Sequence, residues 1–348
     1  MTAIIPTIPT AIDRETRGAR RCLILANPKA GGLQFRELFA ALPGRMWRIL
    51  RRLPAAEADS IPSSLPLLAA AAAEAGLEAN VEPVPPPAQL PALLRSAEAG
   101  GFDTIVAVGG DGTVRNIAQH LVGSSLRLGI LPMGTANNVA HALGIPFDLA
   151  GALRVLVEGV ERRMDVGHIG KEYFLEAAGV GLFADAIQAF GPEEPRNYQL
   201  WRLLKVCGPL CWNPTSRHLR LTVDGNEFQE EVLMLAVANA AYLGAGMEMA
   251  PGARLSDGLF DVILVGAMTR WELMRFARAL RSGRHLDLPK VHRLQARAVA
   301  IRRIHRSHRP LPVHADDHIV AYTPATIEIV PGALRVLAPS FVSNTPSV

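Results

Sequence analysis

Residues 107–116 read AVGGDGTVRN, which sets three glycines, Gly109, Gly110 and Gly112, around one aspartate, Asp111. The apolar run before them, 102–108, reads as a buried strand, and 114–122 reads as the helix that follows. Glycines between a strand and a helix remove the Cβ atoms that would hold backbone N–H groups away from an anion, so the turn suits a phosphate. A carboxylate beside a phosphate is repelled by it. Asp111 therefore implies a metal ion or an attacking hydroxyl between the two.

Working outward, the same strand-then-loop grammar recurs twice. Residues 21–26 (RCLILA) run into NPKAGG at 27–32, and 126–131 run into PMGTANN at 132–138. Between them lie a helix over 64–75 that ends at Gly76, a strand over 78–84 and a helix over 88–99; the helix after the third loop stops at Gly144. Such alternation predicts a parallel sheet with helices on its faces. Its ligands would bind outside the carboxyl ends of the strands, where all three loops fall. Other phosphate and hydrolase signatures are missing. The one Gly-Lys pair, Gly170-Lys171, is followed by Glu172, and GVGLFA at 179–184 lacks a strand-helix-strand setting and reads as a turn.

Past residue 160 the pattern changes to short strands and tight turns. Residues 163–169 and 172–178 flank Gly170-Lys171, and 217–223 precede the turn Asp224-Gly225-Asn226, with strand resuming at Phe228. Helical periodicity remains only at 182–190, 197–206 and 269–281. The expected fold class is therefore α/β plus β. An N-terminal open α/β nucleotide-binding domain over 21–158 is followed by a C-terminal antiparallel β-sandwich over 159–325. Residues 1–20 read as a loose tail. Residues 326–348 read as a terminal hairpin about Pro331-Gly332, able to belong to either half.

Composition agrees with a folded protein: of 348 residues, 49% are hydrophobic and 20% charged. No apolar run reaches the roughly 18 residues of a membrane span, and the N-terminus has no basic segment leading an apolar core. Cys22, Cys207 and Cys211 have no further ligands at zinc spacing and read as reduced thiols of a cytoplasmic protein. Charge is uneven. Residues 269–310 carry eleven arginines and one lysine against Glu272 and Asp287, although the whole chain is only +4. Aromatic residues are scarce in that basic stretch, which argues against a base-stacking nucleic-acid surface and leaves an anionic membrane or plain solvent.

GGDGT after a strand, preceded by N-P-x-x-G and followed by L-P-x-G-T-x-N, resembles the diacylglycerol kinase catalytic family. Its soluble bacterial lipid kinases, relatives of sphingosine and ceramide kinases, are the nearest likeness. NAAYLGAGMEMAPGARLSDGLFDV at 239–262 matches a second, long family segment, and the likeness runs over about 21–338. NAD kinases share GGDGT but not the other motifs. The resemblance implies an ATP- and Mg²⁺-dependent kinase acting on the hydroxyl of a membrane lipid of diacylglycerol or sphingoid/ceramide type. Nucleotide would lie on Asn27, Pro28, Lys29, Ala30, Gly31, Gly110, Asp111, Gly112, Thr113, Val114, Arg115, Asn116 and Thr135. Asp111 would engage Mg²⁺, and a structural Mg²⁺ would sit on Asp257 and the carbonyls of Arg254 and Leu259.

The family's catalytic base lies in a D-G-E segment that matches Asp316-Asp317-His318, which implies Asp316, or His318, as the base. This chain departs from the family there and at the end of the G-T-x-N-D loop, where Asn138 replaces a carboxylate. Both changes remove acidic charge from the expected metal region. They leave open a nucleotide-binding protein with impaired catalysis, or a kinase of a soluble substrate such as NAD. The basic 269–310 stretch would serve as a docking face on the inner side of the membrane.

Overall fold

The computed structural model of the protein describes residues 20–27, 61–190, 208–244, 246–304 and 309–340. The tail to residue 19, loop residues Pro28 to Gly32 and the expected helix over 197–206 lie outside the described residues.

Four parallel strands build the first half: β1 (Arg21–Ala26), β2 (Glu78–Pro83), β3 (Thr104–Gly109) and β4 (Arg127–Pro132). They lie in the order β4-β3-β1-β2. Every residue of β3 is buried, because helices cover both faces and polar alternation has no place there. The flanking helices are α1 (Ile61–Glu74), α2 (Leu90–Ala99), α3 (Asp111–Ala118), α4 (Asn138–Ala142) and α5 (Leu149–Glu158). Helix α5 is absent from the sequence reading above. It is capped by Asp148, whose carboxylate accepts the Gly151 N–H at 2.8 Å, and it buries Leu149, Ala152, Leu153 and Leu156 at helical spacing.

Two expectations are corrected. The helix after GGDGT begins at Asp111 rather than Val114 and ends at Ala118. Gly110 caps it, and Asp111 at the first position favours the positive helix end, which offsets the cost of Gly112 inside the first turn. The terminal hairpin does not form. Residues 325–338 are one strand, β17 (Ala325–Ala338), whose register against β5 (Val160–Ile169) shifts between Val330 and Leu334. Gly332, at φ 58, absorbs the irregularity as a bulge, so Pro331-Gly332 bends the strand without reversing it.

The second half is antiparallel β-sandwich. β6 (Glu172–Phe174) pairs with β5, and β8 (Arg217–Val223) and β9 (Asn226–Ala238) form the expected hairpin, with Asp224 and Gly225 at positive φ. The outer half of β9 lies on β8. Its inner, fully buried half lies between β7 (Ala177–Gly181) and β12 (Phe260–Gly266). Phe174, Phe260, Leu221, Val237 and Ile301 fill the core between these strands. Helix α6 (Leu182–Phe190) follows β7, the short strands β10 (Tyr242–Leu243) and β11 (Met247–Glu248) pair with each other, and β13 (Val291–Ala296) pairs with β12. A further apolar cluster, with Leu273, Phe276 and Leu280, seats α7 (Arg270–Arg281) on the outside. β14 (Ala298–Arg303) and β17 lead back to the first half, where β17 runs parallel to β4.

Candidate active site

The three glycine-bearing loops leave β1, β3 and β4 at one level. Ala26 pairs with Val108 and Gly109 with Pro132, so neighbouring strands end side by side. The loops then brace one another. Asn27 donates its N–H to the Val108 carbonyl at 3.0 Å and its side-chain amide to Thr113 Oγ1 at 2.6 Å. Met133 N–H reaches the Gly109 carbonyl at 2.9 Å. Gly110 and Gly134 touch through backbone: a Cβ added to Gly134 would lie 2.3 Å from Gly110 Cα. The glycines thus serve the contact between the loops. Thr135 stands exposed at the tip of its loop.

Asp111 opens α3 with its carboxylate turned toward the next loop, where Oδ1 accepts the Val139 N–H at 3.3 Å. Burial pushes its carboxyl above the ordinary range, against the lowering effect of N–H groups at Val139, Asn138 and Asn137. Asn137 adopts a left-handed conformation (φ 52), and its side chain closes the Gly134 turn through two bonds of 2.8 Å. Asn138 is buried beside it.

The second half supplies the facing wall. β15 (Pro312–Ala315) and β16 (His318–Tyr322) are joined by Asp316-Asp317, with Asp316 at φ 49. Asp316 is turned inward. Its carboxylate accepts N–H groups of Leu175, Glu176 and Ala177 at 2.8–3.3 Å, and its own N–H donates to the Ala177 carbonyl at 2.7 Å. Burial raises its carboxyl to about 6, against the pull of those amides. Asp317 is turned outward, and a Cβ on Gly112 would lie 3.4 Å from its Oδ2. Arg115 crosses from α3 to this turn, with Nε 3.5 Å from Asp317 Oδ1 and a guanidinium nitrogen 3.2 Å from His318 Nε2. A guanidinium only donates, so His318 Nε2 is the accepting atom of this contact. The lone pair that a histidine base would use is therefore engaged.

The structure thus brings Asn27, Gly110, Asp111, Gly112, Thr113, Val114, Arg115, Asn116 and Thr135 to one edge, with Asp316, Asp317 and His318 across from them. Pro28, Lys29, Ala30 and Gly31 lie outside the described residues. Arg254, Asp257 and Leu259 share a separate turn. There Asp257 Oδ1 accepts the Leu259 N–H at 3.1 Å, and Asp165 accepts the N–H groups of Gly258 and Gly332 at 2.7 Å.

Two buried acids, Asp165 and Glu176, escaped the sequence reading. Their signal was a single acid inside an otherwise apolar strand segment, in RMDVG and FLEAAGVG. Glu176 reaches Asn138 Nδ2 at 2.6 Å. Burial first, then the charges of Asp316, Asp111 and Asp317, push its carboxyl well above the ordinary range, while the Asn138 bond opposes them.

The donor set suits a hard divalent cation. It is all oxygen, it concentrates negative charge, and the buried Asn138 Oδ1 has no hydrogen-bond partner among the described residues. Among those residues no three His, Cys, Asp or Glu side chains form a ready-made metal site. Phosphate oxygens and waters would have to complete the coordination, as is usual for Mg²⁺.

An open α/β half whose strand-end loops face acidic turns of a β-sandwich is an arrangement suited to phosphoryl transfer. The diacylglycerol kinase catalytic domain model matches residues 54–169, and the YegS C-terminal NAD kinase beta sandwich-like domain model matches 199–338. The chain is thus similar, in two consecutive segments, to proteins of the diacylglycerol kinase type. Diacylglycerol kinase of Staphylococcus aureus (strain JH9) is 29% identical over 254 residues, covering 70% of this chain and 76% of that protein. A diacylglycerol kinase structure from Bacillus anthracis str. Sterne superposes with a TM-score of 0.61 at 18% identity, over 94% of this chain and 99% of that one. Another structure from the same organism gives 0.67 at 20% identity, over 95% and 99%. At these identities the structures speak for the fold.

Proposed function

We propose that the protein is an ATP- and Mg²⁺-dependent kinase that transfers the γ-phosphoryl group to the hydroxyl of a membrane lipid, either diacylglycerol or a sphingoid/ceramide-type alcohol. The observation that carries this reading is the approach of the outward Asp317 carboxylate to Gly112 in the glycine turn, which is itself packed against Gly134 and bonded to Asn27 through Thr113. Residues 27–31, 110–116 and Thr135 cradle the nucleotide with backbone N–H groups and hydroxyls, a scheme that needs no Walker lysine. Bound Mg²⁺ would offset charge on the phosphates, held from the protein side by Asp111. A second cation on Asp257 and the carbonyls of Arg254 and Leu259 belongs to the same reading.

The proton of the lipid hydroxyl needs an acceptor at the glycine loop. Asp316, the base implied by resemblance, is sealed onto three backbone N–H groups, so its part is to set the turn. Asp317, next to Gly112, is the better placed base, and Arg115 orients it.

Bilayer contact is supported by the outward face of α7. Trp271 and Met274 are 64% and 62% exposed, and Arg275 and Arg278 continue that face toward a cavity of about 280 Å³ that Ser282 and Arg284 also line. Trp212, 71% exposed, lies beside them with the Arg270 guanidinium 4.8 Å from its ring. Indole rings and arginines together suit the headgroup region of an anionic inner leaflet.

The test is incubation with γ-labelled ATP, Mg²⁺ and defined lipids in mixed micelles, followed by organic extraction. Label should enter a lipid with the intact protein and not with Asp111→Ala. Asp317→Asn should lower kcat about a hundredfold or more, while Asp316→Asn should chiefly lower the unfolding midpoint. Nucleotide binding without turnover would favour the impaired reading, and labelling of NAD without lipid would replace the lipid.

A further inference from the structure

Asn138 and Glu176 come from opposite halves of the molecule and meet in a fully buried contact. Asn138, the first residue of α4, is 1% exposed, and Glu176, between β6 and β7, is 5% exposed. The Asn138 amide nitrogen donates to Glu176 Oε2 at 2.6 Å and to the Gly244 carbonyl at 2.8 Å. The Gly244 carbonyl can only accept, so the orientation of the amide is fixed by chemistry. An aspartate at 138 would face a carboxylate and a carbonyl with no hydrogen to offer either. The two positions therefore hold one acid between them.

Glu176 cannot withdraw from this contact by moving its backbone. Its N–H is bound by Asp316 at 2.8 Å, and its carbonyl accepts from Asn239 at 2.8 Å and Ala240 at 3.0 Å. A glutamine there could accept the same Asn138 bond without burying a charge, so a purely structural role would be met better by the neutral side chain. The acid has a use beyond the hydrogen bond. Its partner Asn138 precedes Val139, whose N–H is bound by Asp111, and the charges that bear on it include Asp111 and Asp317, the metal-holding residue and the base of the proposed function.

We propose that Asn138 and Glu176 are a charge-exchanged pair, in which Glu176 gives the divalent-cation site the carboxylate that resemblance to the family places at position 138. This rests on the kinase reading and names how the chain keeps its acidic complement despite Asn138. Glu176 is thereby a metal-positioning residue, and Asn138 is the group that holds it.

The experiment compares wild type, Glu176→Gln, Asn138→Asp and the double variant. The readouts are the unfolding midpoint with and without Mg²⁺ alone, and the Mg²⁺ concentration that half-saturates binding of a fluorescent ATP analogue. Glu176→Gln should fold at least as stably as wild type yet need about tenfold more Mg²⁺. Asn138→Asp should unfold at lower temperature at pH 8 and recover at pH 5, where one of the two acids can carry a proton. The double variant should regain most of the Mg²⁺ requirement of wild type. A wild-type Mg²⁺ requirement in Glu176→Gln, or a double variant as poor as Glu176→Gln, overturns the pair. If wild type gains stability from Mg²⁺ alone but never phosphorylates a lipid, the pair stands and the lipid-kinase reading falls. If Mg²⁺ shifts neither the midpoint nor nucleotide binding of wild type, the pair falls too.

Discussion

Gly110 and Gly134 show how a short motif can carry a packing reason that its sequence context does not suggest. Their sequence context suggests backbone opened to an anion, and the structure adds that the two residues lie against each other. A Cβ on Gly134 would meet Gly110 Cα at 2.3 Å and Asn137 Oδ1 at 2.8 Å, with only backbone or a bonded side chain to give way. Gly134→Ala should cost about 1–3 kcal/mol in a chemical denaturation series. It should also weaken nucleotide binding, because the displaced loop carries Thr135. Gly76→Ala has open space around it but a φ of 84, so it tests backbone strain alone and should leave nucleotide binding unchanged. The place of Asp111 at the turn after β3 was legible because three glycines flank it between an apolar run and a helix. Asp165 and Glu176 were not, because their roles depend on partners 93 and 38 residues away in the chain. Asp316 and Asp317 are adjacent in sequence but face opposite ways, and the left-handed turn that separates them has no unambiguous mark when glycine is absent.

Helix α7 illustrates what an element carries beyond its boundaries. Thr269 caps it, and Glu272 returns the bond to the Thr269 N–H at 2.9 Å, so both ends of a capping box are closed. Leu273, Phe276 and Leu280 bury one face. The other face is where Trp271, Met274, Arg275 and Arg278 line up at helical spacing. Thr269→Ala should lower stability by about 1 kcal/mol without altering vesicle binding. Trp271→Ala with Arg275→Glu and Arg278→Glu should do the reverse, weakening sedimentation with phosphatidylglycerol vesicles at low salt and leaving the unfolding midpoint near that of wild type. Unchanged sedimentation would remove α7 from the membrane contact. The element was legible because cap, periodicity and charge all agree. The supposed hairpin at 326–348 was misread because Pro-Gly marks a reversal locally, whereas register against β5 and β14 is decided by residues more than a hundred positions earlier or about thirty earlier.

At the scale of the whole molecule, one strand joins the two halves. β17 pairs with β14 and β5 in antiparallel fashion and with β4 in parallel, so a single hydrogen-bonded sheet passes through both. Arg115 bridges to Asp317 and Asn138 to Glu176 on the same boundary. Melting followed by tryptophan fluorescence and by far-UV dichroism should therefore give coincident transitions. Acid should act on the buried centre in two opposing ways. Burial lowers His314 to about 4, so its contribution to stability is present above about 6.5 and is lost as pH falls toward 4. Asp316, raised to about 6, acts with the other sign: ionisation costs stability as pH rises from about 4 to 6. Replacing His314 by Gln should leave the second term alone, and the unfolding midpoint should then rise on acidification from pH 6.5 to 4.5. A midpoint that still falls as steeply as before would assign the acid sensitivity elsewhere.

The placement of β17 also bears on how the chain is made. The first half is read out by residue 158, yet the strand that flanks β4 comes from residues 335 and 336. A ribosome would extrude every strand from β5 to β16 before that partner strand emerges. Until then β4, buried over five of its six residues in the finished molecule, would be an open sheet edge. Early nascent chains should accordingly recruit chaperones or β-pair with one another, and a chain ended before residue 325 should accumulate as insoluble protein.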